Sequence, residues 1–396
     1  MKSKTKIISI VIFLSIFMML VSCGKQKTER QVTIEEMDGV MVVKNPGEPI
    51  YGEFTFGLIE NLSIGGNPYD DNHYFPKRVS LTVDEQGNIY VLDTGNFRVQ
   101  KYDNSGHYLA SIGRKGQGPG EFQFPSKLEL DGEGNLWVFD SPARALKAFA
   151  QDGTYKKSIT IRTFIQPYFY ISQEGFIYGY VTNYRSPSGP HSAIMKIHPD
   201  GSRADTVAKF EEELKANQTW FAIHYYSYHP FICILNPHSF CYGFSSDYRI
   251  FIADGLGRTI RIIEKYEKPT PISKIEKETT VKERKGIYAI IGRSQLPESG
   301  KGVVFPSHRP FFRRIFADDE ERIYVTRYPS ILDEDETKVF DVFGKDGSYL
   351  YRTRLPFMPE LIKAALLYEI RTDEETGDIR IIRYKITNWD QFKTEL

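Results

Sequence analysis

The chemically richest stretch of the chain is Trp220-Phe221-Ala222-Ile223-His224-Tyr225-Tyr226-Ser227-Tyr228-His229-Pro230-Phe231. With His238 it gathers three of the eight histidines within 15 residues. Imidazole nitrogens are ligands for zinc and other transition metals. Spacings of five and nine residues, however, put no two of these histidines on one helical face, and no neighbouring carboxylate is an obvious partner to orient a ring. Aromatic and imidazole rings at this density otherwise pack over a sheet face or form a rim that stacks against a sugar or peptide. Trp220, His224, Tyr226 and His229 are therefore the candidate ligand rim, and a metal at the histidines is the alternative.

Other groups weigh less. Arg309, Arg313 and Arg314 sit beside Phe311 and Phe312 and could receive an anion, although a solvated, alternating strand face accounts for them equally well. Asp93 and Asp140 could be ligand-binding carboxylates; because they recur at matching places in a repeat, turn-forming roles are favoured. Gly113 to Gly120 holds four glycines but lacks the Gly-Lys-Ser/Thr ending of a phosphate cradle, and Pro119 removes one amide donor. It reads as a structural turn. No G-x-S-x-G elbow, H-E-x-x-H or Walker pattern occurs, so no catalytic residue and no cofactor is assigned.

The first residues say where such a scaffold is delivered. Three lysines among Met1–Lys6 precede an apolar run from Ile7 to Val21, shorter than the ~20 residues a membrane span requires. The run ends in Leu20-Val21-Ser22-Cys23-Gly24, which resembles the lipobox of bacterial lipoproteins. The resemblance implies cleavage of a signal peptide, residues 1–22, and lipidation at Cys23, with two or more acyl chains giving stable anchoring. Residues 23–36 would be a polar tether. Gly24, rather than an aspartate, resembles the sorting pattern of outer-membrane lipoproteins, which implies the outer membrane; no acidic export run follows, so the periplasmic face is expected and the cell surface is the alternative. Removing residues 1–22 takes three lysines and no acid, leaving 48 basic against 51 acidic residues. A chain so balanced has no electrostatic footprint for nucleic acid.

The scaffold itself is repetitive. Val83-Asp84-Glu85-Gln86-Gly87-Asn88-Ile89-Tyr90-Val91-Leu92-Asp93 matches Leu130-Asp131-Gly132-Glu133-Gly134-Asn135-Leu136-Trp137-Val138-Phe139-Asp140 at an offset of 47 residues. A further copy runs Ala317-Asp318-Asp319-Glu320-Glu321-Arg322-Ile323-Tyr324-Val325, and weaker ones begin at Glu174 and Asp247. Runs rich in Ile, Val, Tyr and Phe read as strands, and the Asp/Asn/Gly clusters between them as tight turns. Each unit holds about four strands, the content of one propeller blade. Gly87-Asn88-Ile89-Tyr90-Val91-Leu92-Asp93-Thr94-Gly95-Asn96-Phe97-Arg98-Val99-Gln100 resembles the NHL pattern, and Ile112 to Phe122 resembles the inter-blade loop of bacterial six-bladed β-propeller lipoproteins.

The expected architecture is all-β: a six-bladed β-propeller of four-stranded antiparallel blades over 37–396, with a polar insertion near 272–305. Blades are placed at about 78–113, 126–161, 167–211, 220–268 and 311–355. The sixth is shared between Leu58–Gly65 and the C-terminal strands, which would close the ring and remove unpaired edges. Cys233 and Cys241 flank a turn at Pro237, so a symmetric hairpin would oppose them for a disulfide. Buried free thiols are the alternative, and a bulge would spoil the register. The function expected is a membrane-anchored binding or scaffolding module for a protein, peptide or glycan ligand. The alternative is a propeller hydrolase or lyase, gluconolactonase-like or amidating-lyase-like, with a divalent metal such as Ca or Zn in the central channel.

Overall fold

The computed structural model describes residues 31–141, 143–162, 166, 168–183, 191–211, 226–290 and 305–396. Six sheets with antiparallel blades follow one another around the ring, two of them extended by a parallel-paired strand. Blade one comprises Val79–Val83, Ile89–Asp93, Arg98–Tyr102 and Tyr108–Ile112. Blade two comprises Pro125–Leu130, Leu136–Asp140, Ala145–Phe149 and Tyr155–Thr160. Blade three runs through Phe169–Ile171, Ile177–Asn183, His191–Ile197 and Ala204–Glu211, and blade four through Pro230–Asn236, Ser239–Phe244, Arg249–Asp254 and Thr259–Lys265. Blade five has Phe312–Ala317, Ile323–Arg327, Lys338–Phe343 and Tyr349–Leu355; blade six has Leu361–Lys363, Leu366–Thr372 and Ile379–Ile386.

The burial pattern explains why the second strands of blades one and two are apolar up to their closing aspartates. Every residue of Ile89–Asp93 and of Leu136–Asp140 is buried, because both faces of the strand are covered by neighbouring blades. Six clusters of buried side chains result, each lying between two consecutive blades. Tyr90, Leu92 and Val99 of blade one meet Leu128, Leu136 and Val138 of blade two, and Tyr178 of blade three stacks near Phe240 of blade four. The outermost strands face water: Tyr155–Thr160 buries only Ile159 fully.

The N-terminal segment runs round the outside of the ring. Strands β1 (Thr33–Met37) and β2 (Val40–Asn45) form a hairpin whose second strand pairs parallel with Thr259–Lys265 of blade four. β3 (Glu53–Phe54) pairs parallel with the last strand of blade five, and β4 (Leu58–Gly65) pairs antiparallel with Ile379–Ile386 of blade six. Two blades thus exceed the four strands expected, reaching six and five. Residues 33–36, placed in the tether by their polarity, are strand: their side chains are exposed, and the main-chain pairing to β2 holds them. Asn45 ties the strap across two blades. Its Nδ2 donates to the Gly347 carbonyl at 2.9 Å and its Oδ1 accepts from the Tyr349 amide at 2.7 Å.

Within the polar insertion lies one helix, α1 (Lys274–Ile290). Its start is a capping box: the Ser273 Oγ accepts from the Glu276 amide at 3.2 Å while Glu276 Oε2 accepts from the Ser273 amide at 2.8 Å. Among the described residues no helix is long and apolar enough to cross a membrane.

Candidate functional site

The repeat gives the ring two unlike faces. On one, first strands turn into second and third into fourth through tight turns, most of them built on an aspartate. Asp84 Oδ1 accepts from the amides of Gln86 and Asn88 at 3.0 and 2.8 Å; Asp131, Asp254 and Asp318 repeat the arrangement. Gly87, Gly134 and Gly257 adopt the left-handed backbone that such turns need. Blade five makes the same turn with Glu321 at φ 62°. There Asp318 and Arg322 are wholly buried: Arg322 Nε donates to Asp318 Oδ2 at 2.7 Å and the guanidinium lies 4.0 Å from the Trp389 ring.

The opposite face carries the inter-blade connections, and there a cavity of about 370 Å³ opens between blades three, four and five. Its walls are the starts of first strands and the ends of second strands: Tyr168, Tyr180, Phe231, Phe312 and Tyr328 supply rings, and Gln166, Thr182, Ser227, His229, Ser245 and Arg313 supply polar groups. Tyr168 and Tyr180 are stacked, with centroids 6.4 Å apart and planes 16° from parallel. Tyr168 is 48% exposed, so ring surface is open to a ligand. Arg313 makes no hydrogen bond or ion pair among the described residues, and its Nε is buried without an acceptor. Burial lowers its pKa from the ordinary value, with Arg314 adding to that and Tyr328 opposing it. The Ser227 hydroxyl is likewise buried without a partner among the described residues.

The central channel holds a separate charge cluster. Lys127 and Glu129 on the first strand of blade two lie 3.3 Å apart; Lys127 is 3.8 Å from Glu360 of blade six, which is 3.7 Å from Arg314 of blade five. Burial pushes the Glu129 carboxyl up, against the pull of Lys127. For Lys127 burial acts to lower the pKa, but Glu129 and Glu360 outweigh it and the net shift is upward. Two acids and two bases from three blades neutralise one another. Among the described residues no three His, Cys, Asp or Glu side chains are grouped to hold a metal ion.

Of the candidate rim, Trp220 and His224 lie outside the described residues, as does Cys23. His229 lines the cavity. Tyr226 does not: it is fully buried, its hydroxyl 3.2 Å from Glu276 Oε1, docking α1 rather than facing a ligand. His238 sits exposed in the turn of blade four, on the opposite face from His229. The three neighbouring arginines part company. Arg309 Nε is 3.5 Å from Glu276, Arg314 donates to the carbonyls of Pro359 and Glu360, and Arg313 alone faces the cavity. Asp93 accepts from Asn96, and Asp140 accepts from the amides of Gln123 and Phe124 and pairs with Lys147 at 3.0 Å. Arg327, at the same place in blade five, pairs with Glu267 and lies 3.6 Å from Asp341. The glycine loop is closed on itself, with Glu121 accepting from the Gly118 amide at 2.9 Å.

Cys233 and Cys241 are direct partners in the blade-four hairpin, with Cα atoms 5.3 Å apart and their sulfurs bonded. A register shift does occur, but between Ile234 and Asn236, beyond the cysteines, so it leaves them opposed. Sequence reasoning passed over Gln166, Tyr168, Tyr180, Thr182, Ser245 and Tyr328. The available signal was repeat phase: each lies just before or within a first strand, or near the end of a second, and those positions converge on one face.

The architecture defines a six-bladed β-propeller with an aromatic-walled cleft on its connection face. Residues 75–241 match the family described as 6-bladed beta-propeller (DUF5128). NHL repeat-containing protein 3 of Mus musculus is 32% identical over 81 residues, 20% of this chain, and the human protein is 31% identical over the same length. The chain spans only 23% of those curated relatives. Among solved structures, a protein described as exported, from Bacteroides fragilis, aligns over 87% of this chain and 99% of its own with a TM-score of 0.52 at 12% identity, a likeness of fold. A virginiamycin B lyase from Staphylococcus aureus aligns over 84% of this chain and 89% of its own with a TM-score of 0.42 at 12% identity.

Proposed function

We propose that the chain is a lipid-anchored, ligand-binding propeller, held through Cys23 on the periplasmic face of the outer membrane and presenting its connection-face cleft to a protein, peptide or glycan. The observation that carries the reading is Arg313, a cation facing a 370 Å³ aromatic-walled cavity with no protein partner among the described residues. Such a cavity falls within the size range of small-molecule sites. The channel acids, by contrast, each face a cation, so binding is favoured over metal-assisted hydrolysis or elimination.

The reading is tested in two linked steps. Cells supplied with labelled palmitate should label the wild-type chain and retain it with the outer membrane, whereas Cys23→Ala stays unlabelled. On peptide and glycan arrays the purified chain should give hits that Tyr168→Ala abolishes and Arg114→Ala, an exposed change near blades one and two, leaves intact. Hits insensitive to Tyr168→Ala would place binding elsewhere.

A further inference from the structure

We infer that the cleft takes an acidic sugar, with Arg313 receiving the carboxylate of a hexuronate residue and the tyrosines receiving its ring; this rests on the cleft being the binding site. Three features of the lining carry it. First, no Asp or Glu is among the eleven residues, whereas Arg313 and His229 both are, in a chain whose charges otherwise balance. Charge selection for an anion is therefore built into the walls, and a planar guanidinium with open donors matches a carboxylate through two parallel hydrogen bonds.

Second, no aliphatic side chain lines the cleft: the apolar surface is entirely Tyr and Phe. A lipid tail or an apolar peptide side chain is suited by aliphatic walls. A sugar offers flat patches of C–H bonds that lie against ring faces, and its hydroxyls require neutral donors and acceptors between the rings. Gln166, Thr182, Ser227 and Ser245 occupy those places. Third, the Ser227 hydroxyl is buried with no partner among the described residues, and Ser245 Oγ already accepts from the His229 amide at 2.9 Å, which leaves its own proton to donate. Buried polar groups left unpaired call for a partner, and ligand hydroxyls supply one.

The test uses the full chain purified in detergent and titrates it calorimetrically with four oligouronides, built from galacturonate, glucuronate, mannuronate and guluronate. Each is compared with the same oligomer methyl-esterified at its carboxyls, which keeps the shape and removes the charge. At least one acid oligomer should bind, and its ester should bind at least about tenfold more weakly, as loss of a charge-assisted contact predicts. Arg313→Gln should weaken the acid to the level of the ester and leave the ester's affinity unchanged. If that variant fails to fold, the acid–ester comparison on the wild type decides alone. Equal binding of acid and ester overturns the acidic assignment while keeping a sugar cleft. Binding of a short peptide through its free C-terminal carboxylate, with no uronide bound, overturns the sugar assignment and keeps the site. Failure of every probe, with Tyr168→Ala leaving any array hits untouched, overturns the site itself.

Discussion

The two faces of this ring are made from the same repeat and have opposite chemistry. On the turn face most polar groups are consumed: the carboxylates of Asp84, Asp131, Asp254 and Asp318 accept main-chain amides two and four residues on, and in blade five Asp318, Arg322 and Tyr324 form a buried network. On the connection face, the Arg313 Nε and the Ser227 hydroxyl are left without a hydrogen-bond partner among the described residues. The difference follows from loop length. A tight turn returns the chain so quickly that a short side chain reaches its own backbone. A long connection lets residues from three blades meet without prior partners, and such places carry function on many folds. Satisfied turns therefore concentrate on one face, and the cleft for which binding is proposed opens on the other.

The contrast is sharpest in a pair of substitutions. Asp318→Ala removes the buried carboxylate that pairs with the Arg322 Nε and the Tyr324 hydroxyl, which should cost about 3–5 kcal/mol in urea denaturation. Arg313→Gln removes a charge that pairs with nothing among the described residues and should change stability by about 0.5 kcal/mol or less. Equal losses from the two would erase the distinction between the faces.

A smaller effect concerns the Cys233–Cys241 bridge, which closes a hairpin whose turn lies on the turn face. The closed loop is short, so its removal should cost about 2 kcal/mol, the low end of the usual range, and lower the melting temperature by a few degrees. Intact mass after alkylation without reductant checks the bond, since two alkylated cysteines would show that none forms. Thermal melting of the Cys233→Ser, Cys241→Ser chain measures its worth.

The smallest effect is local and pH-dependent. Main-chain amides hold the carboxyls of Asp103, Asp152 and Asp200, each in a turn between third and fourth strands, below the usual aspartate value. A depressed folded-state pKa gives stability that is present above the unfolded pKa near 4 and is lost as pH falls through the folded value. Amide protection in these turns should therefore weaken below about pH 4, while the main-chain amides lining the cleft, where no carboxylate participates, keep theirs. Hydrogen exchange, read as protection factors at about pH 5 and about pH 3, would contradict the comparison if both faces loosened together.

Much of the fold was legible because a blade is a local object. The offset of 47 residues between Val83 and Leu130, the apolar second strands and the Asp-x-x-Gly turns all depend on neighbours a few residues apart, and periodicity reports such neighbours directly. The opposition of Cys233 and Cys241 was open to the same reasoning, since one hairpin decides it. The strap was not legible: Thr33–Met37 is exposed and polar along most of its length, and only pairing with β2 makes it a strand.

The cleft lay furthest from the sequence. Which of Arg309, Arg313 and Arg314 remains free is decided by Glu276 and Glu360, residues that are distant along the chain and arrive from α1 and from the start of blade six. Tyr226 and His229, three residues apart in one aromatic run, were given one role; the ring buries the first under Glu276 and turns the second into the cavity. Residue types and spacing determined the blades, their turns and their order. Only closure of the ring decided which side chains were left without partners, because partnership between blades is a property of distances across the ring and not along the chain.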